Sequence, residues 1–208
     1  VRVALKPTDF REDQVLFRGF SPGGTSLVSD EEWIPACSAT AVIRGGGLGP
    51  FNAIDLNRVL TGKVASASPF ISSFEEGVSG GASPQDLETM FQLIYLTFTA
   101  PRADPEYFQV FNERNRTGLQ NRDASPGVAF NDAINRIMTQ DALRSRPVTV
   151  ETLDHTDLDA SLAFYQDRFA DASDFTFIFV GNIDLDTMRP LVETYLGGLP
   201  STGRVETW

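Results

Sequence analysis

His155 is the one histidine of the chain, and it lies between two aspartates in the run from Leu153 to Asp157. A histidine in such a setting could act as the general base of a hydrolase, but it would need a nucleophile brought close to it. The sequence contains no nucleophile elbow of the Gly-x-Ser-x-Gly type. A loop histidine beside aspartates is more often a solvated or capping residue, and we interpret His155 in that way.

A metal site is not indicated by the residues themselves. Zinc is held by about three or four histidine, cysteine or acidic side chains, and Cys37 and His155, each the only residue of its type, lie far apart in the sequence. A lone cysteine also excludes a disulfide within the chain. Asp154, Asp157 and Asp159 could bind calcium, but they lack the spacing of an EF-hand and are typical of solvated carboxylates at a helix start.

The glycine-rich run Arg44 to Pro50 could cradle a phosphate with its backbone N–H groups. It lacks the Gly-Lys-Ser/Thr ending of a phosphate loop, and it follows a predicted helix instead of a strand. We therefore interpret it as a helix terminator. Local chemistry alone predicts no active site in this chain.

The bulk properties are those of an ordinary globular protein with an acidic surface. The chain has 208 residues, of which 41% are hydrophobic and 22% charged, and its formal net charge is −11. Nucleic acid is not an expected partner, because phosphate binding needs clustered Lys and Arg. No apolar run reaches the roughly 18 residues that a membrane span requires.

A central helix over 83–99 is the element around which the other elements are arranged. Ser83 is placed as its N-cap and Pro84 as its first helical residue. Apolar residues then recur at helical spacing, namely Leu87, Met90, Phe91, Ile94 and Phe98. Because the second half is apolar nearly all round, we expect this helix to be buried in the core.

Hairpin-like strands and grouped helices alternate along the rest of the chain. The first two strands, near Val3–Leu5 and over 14–20, are expected to pair antiparallel. The pattern predicts further strands over 63–72, 74–79 and 175–180, and helices over 30–43, 52–62, 105–121, 126–139, 157–169 and 184–197. This order favours an α+β fold, in which helices cover a mostly antiparallel sheet, and a single domain over 1–208.

Three segments together resemble the pitrilysin/insulinase (inverzincin) metallopeptidase family, and especially its long bacterial zinc proteases. The first runs from Gly80 to Asp104. The second combines Phe164-Tyr165 with Arg168 to Ala172, and the third runs from Phe175 to Asp184 and is followed by Leu191 to Pro200. The resemblance spans nearly the whole chain.

In that family two halves, each of two related α/β domains, enclose a peptide in a chamber. Zinc is bound by His-x-x-Glu-His on the helix after the second strand and by a glutamate on a later helix. The resemblance places Cys37 and Ala41 where the histidines belong, Thr40 in place of the catalytic glutamate, and Gln120 at the later ligand. It therefore implies a degenerate motif, with no catalytic residue and no metal ligand in this chain.

The resemblance implies that residues 1–208 are an inactive pitrilysin-type peptidase domain from the C-terminal half of a longer zinc endopeptidase. Such a domain walls the substrate chamber, packs against sister domains and helps hold a peptide or unfolded protein. No cofactor is expected in this piece, and zinc is expected in another domain of the parent. The strand over 63–72 is the candidate edge for pairing with peptide.

Two further expectations follow from the resemblance. A periplasmic or otherwise exported parent is the location that the family suggests, and an apolar surface for neighbouring domains is expected near 44–50 and 63–72. A non-proteolytic scaffold or assembly module of the same fold is the alternative function. An active hydrolase is a third class, which the missing zinc ligands disfavour.

Overall fold

A computed structural model describes residues 1–122 and 125–206 of the chain. Five strands form one sheet in the order β1-β5-β2-β4-β3. The strands are β1 (Arg2–Pro7), β2 (Val15–Pro22), β3 (Ala65–Ile71), β4 (Glu75–Ala82) and β5 (Thr176–Gly181). The helices are α1 (Trp33–Gly46), α2 (Ala53–Val59), α3 (Leu87–Thr99), α4 (Pro105–Arg122), α5 (Pro126–Met138), α6 (Val150–Asp154), α7 (Leu158–Arg168) and α8 (Leu185–Leu191).

The sheet is mostly antiparallel, which confirms the predicted α+β class. β2 pairs antiparallel with both β4 and β5, and β3 pairs antiparallel with β4. The predicted pairing of β1 with β2 is wrong, because β5 lies between them and pairs parallel with β1. β5 is the most apolar strand and takes a central position, whereas β1 carries Arg2 and Lys6 and lies at an edge.

One face of the sheet carries the hydrophobic core, and α1 and α3 pack on it. Alternate residues of β2 and β5 point to this inner face, among them Phe17 and Phe179, whose rings stack at 5.6 Å. Phe91 of α3 stacks on Phe179 at 5.3 Å. Phe91 and Ile94 are fully buried, which confirms the predicted role of the central helix.

The start of α3 differs from the prediction. Residues 84–86 form a 3₁₀ turn, and α3 begins at Leu87. Ser83 does not cap the helix, because its hydroxyl donates to the Asp86 carboxylate. The same carboxylate accepts from the Val64 amide at 2.8 Å and pairs with Lys63 at 3.1 Å. The hydrogen bond from Val64 is the main cause that lowers the pKa of Asp86, and the contact ties the entry of β3 to α3.

The later helices begin as predicted. The Asp104 carboxylate accepts from the Tyr107 amide at 3.0 Å at the start of α4. Asp157 and Asp184 cap α7 and α8 through their side chains. α8 ends at Leu191, and a π-helical turn over 192–196 completes the segment that was predicted as one helix.

Two local predictions are corrected near α1 and α6. α1 begins at Trp33 instead of residue 30, because Ser29 and Glu32 bond each other ahead of the helix, with their side-chain oxygens 3.1 Å apart. It continues to Gly46, beyond the predicted end at Ile43. The short helix α6 was not predicted, and it begins with a capping box between Thr149 and Thr152.

Candidate functional site

The four positions that the resemblance aligns with the zinc motif lie on two helices that contact each other, α1 and α4. Cys37 and Ala41 are exposed one turn apart on α1, and Thr40 is half-buried. Gln120 is exposed in the last turn of α4. Of these four side chains only the Cys37 thiol is of a type that zinc prefers.

This set of side chains does not fit zinc, the metal that the resemblance implies. A zinc site needs three or four nitrogen, sulfur or carboxylate ligands. The set of Cys, Thr, Ala and Gln supplies only one such ligand, the cysteine thiol. Within residues 1–122 and 125–206 no group of three or more His, Cys, Asp and Glu side chains could hold a metal ion.

His155 lies in an exposed position at the C-terminal end of α6. It lines a cavity of about 370 Å³ together with Trp33, Arg136 and Arg146. Neither serine nor cysteine is among the described residues that line this cavity, and its two threonines are occupied with each other in the capping box of α6. The surroundings therefore fit the capping interpretation of His155 and not a hydrolase triad.

The glycine-rich run acts as a chain reversal after α1. Gly47 has a φ of 104°, and a Cβ there would lie 2.2 Å from the carbonyl oxygen of Phe51. The amides that a phosphate would need are used within the fold, since Leu48 donates to Phe51 and Gly49 donates to Ala100, both at 2.9 Å. This arrangement agrees with a terminator and not with a phosphate loop.

The outer face of the sheet is open and partly apolar. Leu16 of β2 is 51% exposed, and Ile178 and Val180 of β5 are 37% and 38% exposed. The register places Leu16 directly opposite Val180, so the three side chains form one patch, here called the open-face patch. The continuous apolar run of β5 predicted a central strand, and that position is confirmed, but only its inner face is covered by helices.

Two shallow depressions flank Leu16 on this face. One has a volume of about 470 Å³ and is also lined by Phe10 and Val180. The other has a volume of about 630 Å³ and reaches Ser66 of β3 and Gly81 of β4. Small residues at the second depression leave room for a chain to approach the backbone of β3 and β4.

Further along the same face, the Arg18 side chain lies across the sheet and stacks on an aromatic ring. Its guanidinium lies 4.3 Å from the centre of the Phe70 ring and forms an ion pair with Glu75. Arg18, Leu16 and Val180 were not predicted from the sequence as surface-site residues. The period-two alternation in β2 was the available signal, because Leu16 and Arg18 share a face opposite to Val15 and Phe17.

The free edge of β3 borders the second depression. The amide of Ser72 donates to Glu75 and that of Ser83 donates to Val64, so the even-numbered residues of β3 bond to β4. The odd-numbered ones point their backbone groups outward, which leaves the N–H groups of Ala65 and Ala67 on the free edge. Pro69 is also odd-numbered and has no N–H to offer. The outward donors beside the depression are therefore those of Ala65 and Ala67.

No family model matches this chain. It is 29% identical over 201 residues to a "Zinc protease PQQL-like" of Arabidopsis thaliana, and the match covers 96% of this chain and 18% of that protein. This chain is homologous to one segment of a PqqL-like zinc protease. The homology confirms the resemblance to the zinc metallopeptidases that the sequence indicated.

Solved structures show the same fold. The periplasmic protease PqqL of Escherichia coli matches with a TM-score of 0.78 and 20% identity, over 96% of this chain and 22% of that one. A peptidase M16 inactive domain from Pseudomonas fluorescens matches with a TM-score of 0.72 and 12% identity, over 98% of this chain and 50% of that one. The chain therefore spans about a fifth of the length of the PqqL-like proteins, and its α+β fold is that of peptidase M16 domains.

None of the described helices is both long enough and apolar enough to cross a bilayer.

Proposed function

We propose that this chain is a catalytically inactive unit of a longer zinc-dependent endopeptidase, in which the outer face of its sheet lines the chamber that holds the substrate. The observation that carries the proposal is the open-face patch of Leu16, Ile178 and Val180 on β2 and β5, which the second depression joins across β4 to the edge strand β3. Apolar side chains on an open sheet and outward backbone donors are the two features that an extended peptide requires.

The inactivity of the unit is supported by the side chains at the motif positions. Cys37, Thr40, Ala41 and Gln120 cannot supply the imidazole and carboxylate ligands of a catalytic zinc, so the metal and the general base belong to another unit of the parent. The periplasmic location of PqqL supports an exported parent. A role in confining peptide and packing against sister units then remains for this unit.

Contact with peptide can be tested by photo-crosslinking in the full-length natural chain. A benzophenone amino acid at Leu16 would report on the outer face, and the same amino acid at Gln166, exposed on α7 on the helical side, is the matched control. With a fluorescent unstructured peptide as probe, we expect saturable crosslinking at Leu16, competed by unlabelled peptide, and little at Gln166. Equal labelling at both positions, or none at Leu16, would contradict the proposal.

The same experiment separates the proteolytic parent from the scaffold alternative. A full-length chain that cleaves the peptide and crosslinks it at Leu16 supports the chamber role. A chain with no peptidase activity and no crosslinking supports a scaffold or assembly module of the same fold.

A further inference from the structure

Helix α5 presents its apolar side to solvent. Phe130, Ile134, Ile137 and Met138 are 66%, 44%, 76% and 78% exposed. Their spacing of four, three and one residues places them on one side of the helix, here called the α5 stripe. No residue of α5 is buried, although the helix is clearly amphipathic. The apolar surface expected near residues 44–50 and 63–72 is thus most pronounced on a different element.

The opposite, polar side of α5 attaches the helix to the rest of the fold. The Asn135 amide donates to the Ser145 carbonyl oxygen at 2.6 Å, and the Asp132 carboxylate pairs with Arg122 at 2.6 Å. Arg136 lines the cavity beside Trp33. An amphipathic helix normally buries its apolar stripe, so the reversed orientation indicates that another surface covers the α5 stripe.

The charge distribution indicates that the surface covering the α5 stripe belongs to a protein and not to a membrane. The charged residues of α5, Asp132 and Arg136, are both on the attached side, and the α5 stripe itself carries no charge. A helix that binds a bilayer surface carries Lys and Arg beside its apolar stripe. Here the chain has a net charge of −11, which opposes binding to acidic lipid. The partner surface is therefore uncharged and apolar.

The exposed area of the α5 stripe favours a partner within the same polypeptide. Four partly exposed apolar side chains of this size offer roughly 500 Å². Stable association between separate molecules buries about 800 Å² on each partner. A covalently linked partner needs less contact, because the linkage holds it at an effective concentration of about millimolar. A second copy of this chain, also at −11, would in addition be repelled.

We propose that the α5 stripe is the docking surface for an uncharged, apolar segment of another unit of the same polypeptide. The proposal rests on the proposed function, in which the chain is one unit of a longer protein, and it names the surface that the unit uses. It is consistent with the match of this chain to about a fifth of the PqqL-like relatives.

The three methionines of the chain supply the test. Met138 belongs to the α5 stripe, whereas Met90 and Met188 are fully buried and serve as internal references. In the full-length natural chain treated with dilute hydrogen peroxide, mass spectrometry of the peptides gives the oxidation rate of each methionine. We expect Met138 to oxidise as slowly as Met90 and Met188. The Ile137→Glu variant should increase the oxidation rate of Met138 at least tenfold and leave the rates of Met90 and Met188 unchanged.

The control variant is Ile54→Glu, which adds the same charge at a site on α2 that is 71% exposed and should leave all three rates unchanged. Rapid oxidation of Met138 in the unmodified full-length chain would overturn the docking proposal. So would protection of Met138 that disappears on dilution, because it would identify a second copy as the partner. Crosslinking of peptide at Leu16 is measured separately, so rapid Met138 oxidation with intact crosslinking removes the docking proposal and leaves the chamber role standing.

Discussion

The Glu76 carboxylate lies 3.9 Å from the Arg168 guanidinium, and only 1% and 5% of the two side chains are exposed. Glu76 also accepts a hydrogen bond from the Gly24 amide. Arg168 is shared with Asp167 and Glu206, so Glu76 is one of several acids around one cation. Burial raises the pKa of Glu76 from its ordinary value of 4.5 to about 7, against the opposing effects of Gly24 and Arg168.

The raised pKa of Glu76 predicts a loss of stability with rising pH. Between pH 4.5 and about 7 the folded chain holds a proton on Glu76 that the unfolded chain has released, so the free energy of unfolding falls as pH rises through this window. The full difference is roughly 3 kcal/mol, at about 1.4 kcal/mol for each pKa unit. Urea unfolding at pH 5, 6, 7 and 8 measures it.

Glu76→Gln keeps an acceptor for the Gly24 amide and removes the titration. We expect the variant to lose less stability than the parent between pH 5 and 8, with Glu193→Gln, an exposed site, as the control that follows the parent. If Glu76→Gln and the parent change in parallel with pH, Glu76 does not titrate in this window.

Zinc content tests the degenerate motif directly. With Cys37, Thr40, Ala41 and Gln120 at the motif positions, we expect the purified chain of residues 1–208 to contain far less than one zinc per molecule and to cleave no peptide. Elemental analysis after purification without chelator gives the stoichiometry. One zinc per chain that survives dialysis and is lost in a Cys37→Ser variant would show that the site is functional.

Proline substitutions at two neighbouring positions of β3 should have different effects, one on peptide binding and the other on stability. Ala67→Pro removes an outward N–H, so it should weaken peptide crosslinking at Leu16 several-fold in the full-length chain and change stability little, as at the native Pro69. Ser66→Pro removes an N–H that bonds to β4, so it should destabilise the fold. Crosslinking yield and thermal unfolding, measured on both variants, check the pair. Unchanged crosslinking in Ala67→Pro would exclude β3 as the peptide contact.

Ile94 tests the prediction of a single cooperative domain. The residue is fully buried beneath the sheet, and Ile94→Asp would place an unpaired carboxylate there at a cost of several kcal/mol. We expect the whole chain to lose its fold in one step, seen as loss of the cooperative transition in circular dichroism. Gln92→Glu adds a carboxylate on the exposed side of the same helix and should unfold like the parent. Partial unfolding in Ile94→Asp would indicate more than one cooperative unit.

The elements that could be predicted from the sequence are those whose signals are local. The helix starts at Pro105, Pro126, Asp157 and Asp184 depend on residues within one turn, and they lie within one residue of where the pattern placed them. The core stripe of the central helix depends on spacing alone. Ser83 failed as a cap because the partner of its hydroxyl, Asp86, is held by the amide of Val64, the residue just before β3.

The features that could not be predicted depend on contacts between distant parts of the chain. The apolar run of β5 predicts a central strand but does not say that Ile178 and Val180 face an open surface. The helical pattern of α5 gives an apolar side but not its direction, which is set by Asn135 and Asp132 through bonds to Ser145 and Arg122. The side chains at the positions that the resemblance aligns with the zinc motif, in contrast, are a property of residue type and can be read from the sequence itself.

The parallel pairing of β1 with β5 also determines the order in which the sheet can be completed during synthesis. Arg2 pairs with Thr176, so β1 leaves the ribosome before the other four strands of the sheet and has no neighbour in it until synthesis has reached β5. At about 5–20 residues per second, that interval is roughly 9–35 s. The β3–β4 hairpin and the pairing of β2 with β4 can form well before, and β1 joins last, as the slow, non-local step of folding.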